Sequence, residues 1–285
     1  MNIVLAAFGK RGYFYAAYNL AFSIKHYDPT ANILLIHDAG LSQLPDQRCF
    51  DKFHAIDEAT THPKGTLDAG NVKLNVYKIA TKYFSKYMFL DVDAVALKSL
   101  KEWYYAIDQD FATDVRGRGK IDDDINYSVW ATNENIWKEF KLKKSDEYLA
   151  VQSSWHYAKK TKENGAMFRD ALRLNKNTFA DRKEMLKIRW GANLPDELIL
   201  GGAIVRAGID PAVPFRPIFF GDRHAPLREV KEHYIMSMFG NGKGKTLTKR
   251  DFIEFYNKHL LSIFRQHNMN FHYKAAFIMR DKYIN

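Results

Sequence analysis

Tyr87-Met88-Phe89-Leu90-Asp91-Val92-Asp93 is an apolar run that ends in two carboxylates spaced two residues apart. The run reads as a buried strand, and alternation along a strand sends Asp91 and Asp93 to one face. Two hard oxygen ligands converging at a strand's carboxyl end suit a divalent cation such as Mn2+ or Mg2+, and such a cation can in turn hold phosphates. The plainer reading of Asp-x-Asp is a strand followed by an acidic turn, so the surrounding elements have to decide.

Upstream, Ile3 to Phe8 reads as a short apolar strand and Gly9-Lys-Arg-Gly12 as a turn. From Tyr13 to Tyr27 the residues Phe14, Tyr18, Ala21 and Phe22 fall on one helical face, and Asp28-Pro29 ends the helix. Asn32 to Ile36 is a second buried strand and Phe53 to Ile56 a third. Thr60 to Gly70 is a polar loop, and Val72 to Phe84 returns to helical spacing before the aspartates. Strands alternating with helices predict an α/β fold with a mostly parallel sheet, whose ligands bind outside the carboxyl ends of the strands.

Downstream, Asp110 to Val115 reads as a strand. Arg116-Gly-Arg-Gly-Lys120 and the acidic Ile121 to Ile125 read as loops, since the glycine-spaced basic piece lacks P-loop spacing. Tyr148 to Val151 is apolar and puts Gln152-Ser153-Ser154 at a strand's end, and Glu163 to Asn175 reads as a helix. Leu194-Pro-Asp196-Glu197 has the proline and acids of a helix start, where a carboxylate can also orient or activate a hydroxyl. His233, Gly240, Gly242 and Lys243 join an imidazole, glycine amides and a cation. Thr248-Lys-Arg-Asp251 is a capping-box pattern opening an amphipathic helix with Phe252, Phe255, Tyr256, Leu260, Ile263 and Phe264 on its apolar face, and Met269 to Tyr283 offers a second, more basic helical segment.

With 285 residues, 46% of them hydrophobic, the chain can bury a large core. A formal charge of +10 implies attraction to polyanions without choosing between nucleic acid, an anionic membrane surface and phosphate ligands. The single cysteine, Cys49, excludes an intrachain disulfide and fits a reducing compartment. The first residues carry no signal-peptide pattern and no apolar run approaches the roughly 18 residues a bilayer requires, so a cytoplasmic, soluble protein is expected.

In this order the blocks resemble the nucleotide-sugar glycosyltransferases with a GT-A fold, most closely the glycogenin and lipopolysaccharide galactosyltransferase group. Phe8 to Ser23 resembles that family's first strand, nucleotide-binding loop and helix, with Tyr13 after the loop. Asn71-Val-Lys73-Leu74 followed by Asp91-Val-Asp93 resembles the stretch where a basic residue binds the nucleotide sugar and Asp-x-Asp binds metal. Gln152-Ser153-Ser154 stands where the family has Asn-Ser-Gly, and Asp196-Glu197 where it has Asp-Gln near the reacting carbon. The closing His-x-x-Gly-x-x-Lys motif survives as Gly240 and Lys243, with Ser237 at the histidine's position and His233 four residues earlier.

The resemblance spans roughly residues 1–245, leaving 246–285 as a basic amphipathic helical tail expected to pack on the core. It implies Mn2+ or Mg2+ on Asp91 and Asp93, with His233 as a candidate third ligand. It also implies a nucleotide-sugar donor, with UDP-sugar expected, held by Ala6, Ala7, Phe8, Tyr13, Lys73, Gly240 and Lys243. Asp196 and Gln152 are its candidate catalytic residues. The acceptor is an unspecified hydroxyl, with a polyanion such as modified DNA as one option. Oligomeric state and stereochemical outcome are not set. Two rival readings share the residues: a haloacid-dehalogenase-like phosphatase with Asp91 as nucleophile, and a non-catalytic basic protein that binds nucleic acid.

Overall fold

The computed structural model of the chain describes residues 1–9, 11–38, 41–62, 68–128, 131–177, 196–214, 217–220, 227–237 and 248–267. Its contacts group it into two units, one of Met1–Ala55, Leu90–Ala106 and Phe215–Asn285, the other of Ile56–Phe89 and Ile107–Pro214.

In the first unit, β1 (Asn2–Ala7) leads through α1 (Arg11–Tyr27) to β2 (Asn32–His37) and β3 (Lys52–Ala55). β1 pairs with β2 in parallel, from Asn2 opposite Asn32 to Ala7 opposite His37, and β2 pairs in parallel with β3. Ile3, Val4, Leu5, Ile33, Leu34, Leu35 and Ile36 are fully buried, as a parallel sheet covered on both faces requires. The helix ends where Asp28-Pro29 signals, and Asp28 does more than stop it. Its buried carboxylate accepts from Ser99 Oγ at 2.6 Å and from the Leu100 amide at 2.7 Å, tying the end of α1 to the chain after the aspartates.

The motif strand, β4 (Lys86–Leu90), is followed directly by β5 (Ala94–Ala96) and α4 (Lys101–Tyr105). The second unit carries α2 (Glu58–Thr61), α3 (Ala69–Ala80), β6 (Phe111–Gly119), α5 (Asn133–Phe140), β7 (Tyr148–Lys159), α6 (Lys162–Asn177) and α7 (Asp196–Ala207). β8 (Ile218–Phe220), β9 (Ile235–Ser237) and α8 (Thr248–Gln266) return to the first. The central sheet has the strand order β3-β2-β1-β4-β7-β6, and a smaller sheet has the order β5-β9-β8. The expected α/β fold with a mostly parallel central sheet flanked by helices is therefore present.

The predicted amphipathic tail helix is α8. Tyr256, Leu260, Ile263 and Phe264 are buried, Phe264 stacks on Phe22 of α1 at 4.4 Å between ring centroids, and Asn19 Nδ2 donates to Tyr256 Oη at 3.4 Å. The second tail segment, 269–283, lies outside the described residues.

Two readings of the sequence need correction. Arg116 to Gly119 does not form a loop but the second half of β6, paired antiparallel with β7. At Gly119 an aromatic ring fills the side chain's space: a Cβ there would lie 1.7 Å from Cε2 of Tyr127. Gln152-Ser153-Ser154 does not end a strand either, since β7 continues to Lys159. Thr113 pairs with His156 while the next residue, Asp114, pairs with Gln152, so residues 153–155 form a bulge. The Thr113 hydroxyl closes it by donating to the Gln152 carbonyl at 3.2 Å or the Trp155 carbonyl at 2.8 Å.

Below this bulge His156 is buried among Phe89, Phe111 and Phe168, with its Nε2 3.0 Å from Tyr87 Oη. Burial pulls its pKa from 6.5 to about 3, the positive charge of Lys73 adding to the effect and Asp196 opposing it. The folded state thus holds a neutral imidazole that the unfolded chain protonates below about pH 6.5. Its contribution to stability is complete above that pH and drains away as the pH falls from 6.5 toward 3. Between pH 6.5 and 5 the loss comes to about 2 kcal/mol at 1.36 kcal/mol per unit. Thermal melts of wild type and His156→Gln should show this slope shallower in the variant, and equal slopes would refute the assignment.

Candidate active site

In the first unit the chain leaves β4 at Leu90, so Asp91 and Asp93 lie in the turn before β5 and not on the strand itself. Strand alternation therefore does not place them, contrary to the sequence expectation. The intervening Val92 is buried, at 6% exposure, while Asp91 and Asp93 on either side of it are half-buried. β5 starts one residue after Asp93, and in its antiparallel pairing with β9 Ala94 faces Ser237, Val95 faces Met236 and Ala96 faces Ile235.

This register brings the buried Ser237 next to the aspartates and carries His233 away from them, beyond the far end of β9. His233 Nδ1 instead lies 3.0 Å from the Glu229 carbonyl. Among the described residues no group of three or more His, Cys, Asp or Glu is placed to hold a metal ion. Gly240 and Lys243 lie outside the described residues.

At the end of β1, Ala7 is fully buried and Ala6 and Phe8 are nearly so, with Phe8 stacked on the half-buried Tyr13 at 6.4 Å. Gly9 has φ 75°, a left-handed conformation that suits glycine, and its amide donates to Asp38 Oδ2 at 2.6 Å. Sequence reasoning passed over Asp38. The available signal was its place just past the second parallel strand, at the sheet end where ligands gather.

The second unit gathers a different set of groups. Lys73, on α3, has its Nζ 3.3 Å from Asp196 Oδ2 and 3.5 Å from Ser153 Oγ. That Asp196 oxygen is buried and makes no hydrogen bond, so its contact with Lys73 is an ion pair. Gln152 Nε2 donates to Glu197 Oε1 at 2.9 Å. Helix, bulge and strand each fix part of this cluster. Asp68 caps α3 by accepting from the Asn71 amide at 2.9 Å, and the bulge in β7 sets the positions of Gln152 and Ser153.

α7 is pressed against β7 and α5 by two glycines. A Cβ on Gly201 would lie 2.4 Å from the Leu149 carbonyl oxygen and 2.9 Å from Tyr148 Oη, and one on Gly202 2.6 Å from the Phe140 ring. The first turn of α7, which carries Asp196 and Glu197, takes its position from this contact.

No protein-family model matches the chain, and a search of curated proteins gives no significant match. Its likeness to solved structures is clear. The bifunctional glycosyltransferase WbbM in its apo form aligns with a TM-score of 0.58 at 15% identity over 93% of this chain, which spans about half, 51%, of that protein. The galactosyltransferase LgtC, in a complex with donor and acceptor sugar analogues, aligns with a TM-score of 0.58 at 13% identity over 92% of this chain and 96% of its own. An active-site mutant of LgtC gives the same score and identity over 97% and 100%. The chain thus has the GT-A-like α/β fold of these glycosyltransferases.

Gly→Ala in a helix ordinarily stabilises by up to about 1 kcal/mol, so the sign of the effect at Gly201 is informative. Gly201→Ala should destabilise by about 2 kcal/mol, because the obstructing atom is backbone and cannot rotate away. A denaturant midpoint equal to or above that of wild type would remove the close contact from the argument.

Proposed function

We propose that the chain is a metal-dependent glycosyltransferase that moves a sugar from a nucleotide-diphosphate sugar, UDP-sugar foremost, to an acceptor hydroxyl. One observation carries the reading: two half-buried carboxylates, Asp91 and Asp93, leave the motif strand β4 within a fold that nucleotide-sugar transferases share. Hard, paired oxygens suit Mn2+ or Mg2+, with Ser237 as the neighbouring hydroxyl. A cation held there supplies positive charge to a leaving diphosphate.

In this role Ala6 to Phe8 and Tyr13 would line the base and ribose and Lys73 would be a counter-charge for the donor, with Gly240 and Lys243 keeping the diphosphate role that the resemblance implies. Asp196 and Gln152 position the donor sugar and acceptor. The formal charge of +10 is compatible with a polyanionic acceptor, of which a hydroxyl on a modified DNA base is one option that would require the base to be turned out of the stack. The buried thiol of Cys49 is consistent with a cytoplasmic setting, and no helix among the described residues is long and apolar enough to cross a membrane. The phosphatase reading is weaker, because its Asp-x-Asp strand ordinarily opens the fold whereas β4 follows three strands.

A thermal-shift screen of UDP- and GDP-sugars with Mn2+ should show stabilisation by a UDP-sugar that chelation abolishes. Asp91→Asn and Asp93→Asn should each lower transfer by about 100-fold or more with an unchanged melting temperature in the absence of ligand. Full turnover in either pure mutant would end the metal-site assignment. Titration of labelled duplex DNA at several salt concentrations tests the acceptor, and no binding at low salt removes DNA.

A further inference from the structure

The turn of Asp91 and Asp93 runs straight into an edge strand, since β5 stands at the end of the order β5-β9-β8. Alternate residues of an edge strand turn their N–H and C=O away from the sheet, and those groups need other partners. The Leu97 amide donates to the Tyr234 carbonyl at 2.9 Å, on the β9 side, so Ala96 before it faces outward. Ala96 is fully buried, and two helices of the same unit complete it. Its amide donates to Ser23 Oγ of α1 at 3.0 Å, and its carbonyl lies 3.0 Å from His259 Nε2 of α8. A carbonyl can only accept, so the imidazole proton sits on Nε2.

The half-buried His259 ring is stacked with Tyr27 and Phe255 at interplanar angles of 14° and 4°, which fixes its orientation. Burial lowers its pKa against the opposing bond to Ala96, so the ring is neutral near pH 7. Earlier on the same helix, Tyr256 is buried, with Asn19 Nδ2 of α1 donating to its Oη at 3.4 Å. Burial raises the Tyr256 pKa, the Asn19 bond opposes the rise and the charge of Asp93 adds to it, so this face of α8 lies within electrostatic reach of the aspartate turn. α8 begins at Thr248, beyond the stretch of residues 1–245 that resembles the transferase family. We propose that α8 is a clamp on the cation turn, with His259 the positioning residue that fixes β5 at Ala96 and thereby holds Asp91 and Asp93 convergent. The assignment rests on the metal-dependent reading and deepens it. His259 touches neither cation nor substrate, and acts through backbone just beyond Asp93, as the partners behind metal ligands do.

Calorimetric titrations of UDP across a series of Mn2+ concentrations test it, the readout being the Mn2+ concentration that gives half-maximal UDP binding. His259→Phe keeps a ring and removes the donor, and should raise that half-point about tenfold while UDP affinity at saturating Mn2+ stays within about twofold. General loosening of the fold would weaken both, so the split separates positioning from damage. His259→Gln restores an N–H donor and should keep the half-point within about twofold of wild type. A half-point unmoved in His259→Phe, or moved equally in His259→Gln, overturns the proposal. If His259→Phe does not fold, Ser23→Ala removes the acceptor on the Ala96 amide and should raise the half-point severalfold, and no change there overturns the proposal too. A wild-type chain that fails to bind UDP or binds it regardless of Mn2+, or an Asp91→Asn variant with an unmoved half-point, refutes instead the metal-dependent reading itself.

Discussion

The carbonyl oxygen of Leu149 occupies the space that a side chain at position 201 would need, and the charged cluster of the second unit depends on that contact. Because Gly201 and Gly202 carry no Cβ, α7 lies against β7 and α5 at a distance that other residues would not permit. Tyr148, from the strand beneath, reaches the helix backbone at Leu198. With the helix fixed on the strand, its first turn meets the bulge of β7, and Gln152 and Glu197 come within hydrogen-bond reach. The polar contacts of the site are thus consequences of a packing decision made one turn further along α7.

How much of this was readable in the sequence follows from how far each signal is local. The parallel-sheet strands showed because both their faces are buried, so Ile33 to Ile36 and Tyr87 to Leu90 appear as unbroken apolar runs. α1 and α8 showed because each buries one stripe. The second half of β6 was hidden because Gly117 and Gly119 carry no side chains to show a period, the space at Gly119 being taken by Tyr127, a residue outside the strand's own pattern. The β7 bulge was hidden for a similar reason, since it exists only as an offset between Thr113 and Asp114 on the facing strand. β5, β8 and β9, three residues each, are too short to display a period. Asp91 and Asp93 stand out in the sequence as a local pair, whereas the Gly9 to Asp38 and Gln152 to Glu197 contacts join residues far apart in the chain that no local spacing encodes.

The electrostatics of the second unit has a similar logic. His156 lies near both Lys73 and Asp196, and burial together with the lysine outweighs the carboxylate in keeping the ring neutral. A neutral imidazole cannot serve as counter-ion to Asp196, so that task falls to Lys73, whose ammonium is 3.3 Å from the carboxylate. Of the two adjacent acids of α7, Asp196 is thus matched by the Lys73 ammonium, while Glu197 accepts from the Gln152 amide.

In the first unit the same economy of placement bears on the choice of cation. β9 sets a serine, not an imidazole, opposite the residue that follows Asp93, and its register holds His233 apart. In the proposed metal site, an all-oxygen donor set of two carboxylates and a hydroxyl would be harder than one completed by nitrogen, and so would favour Mg2+ or Mn2+ over Zn2+. A cation held there would also depend more on oxygen from elsewhere, because a hydroxyl is a weaker ligand than an imidazole. On the proposed function a diphosphate would supply such oxygens, so a serine at position 237 would couple cation binding to nucleotide binding.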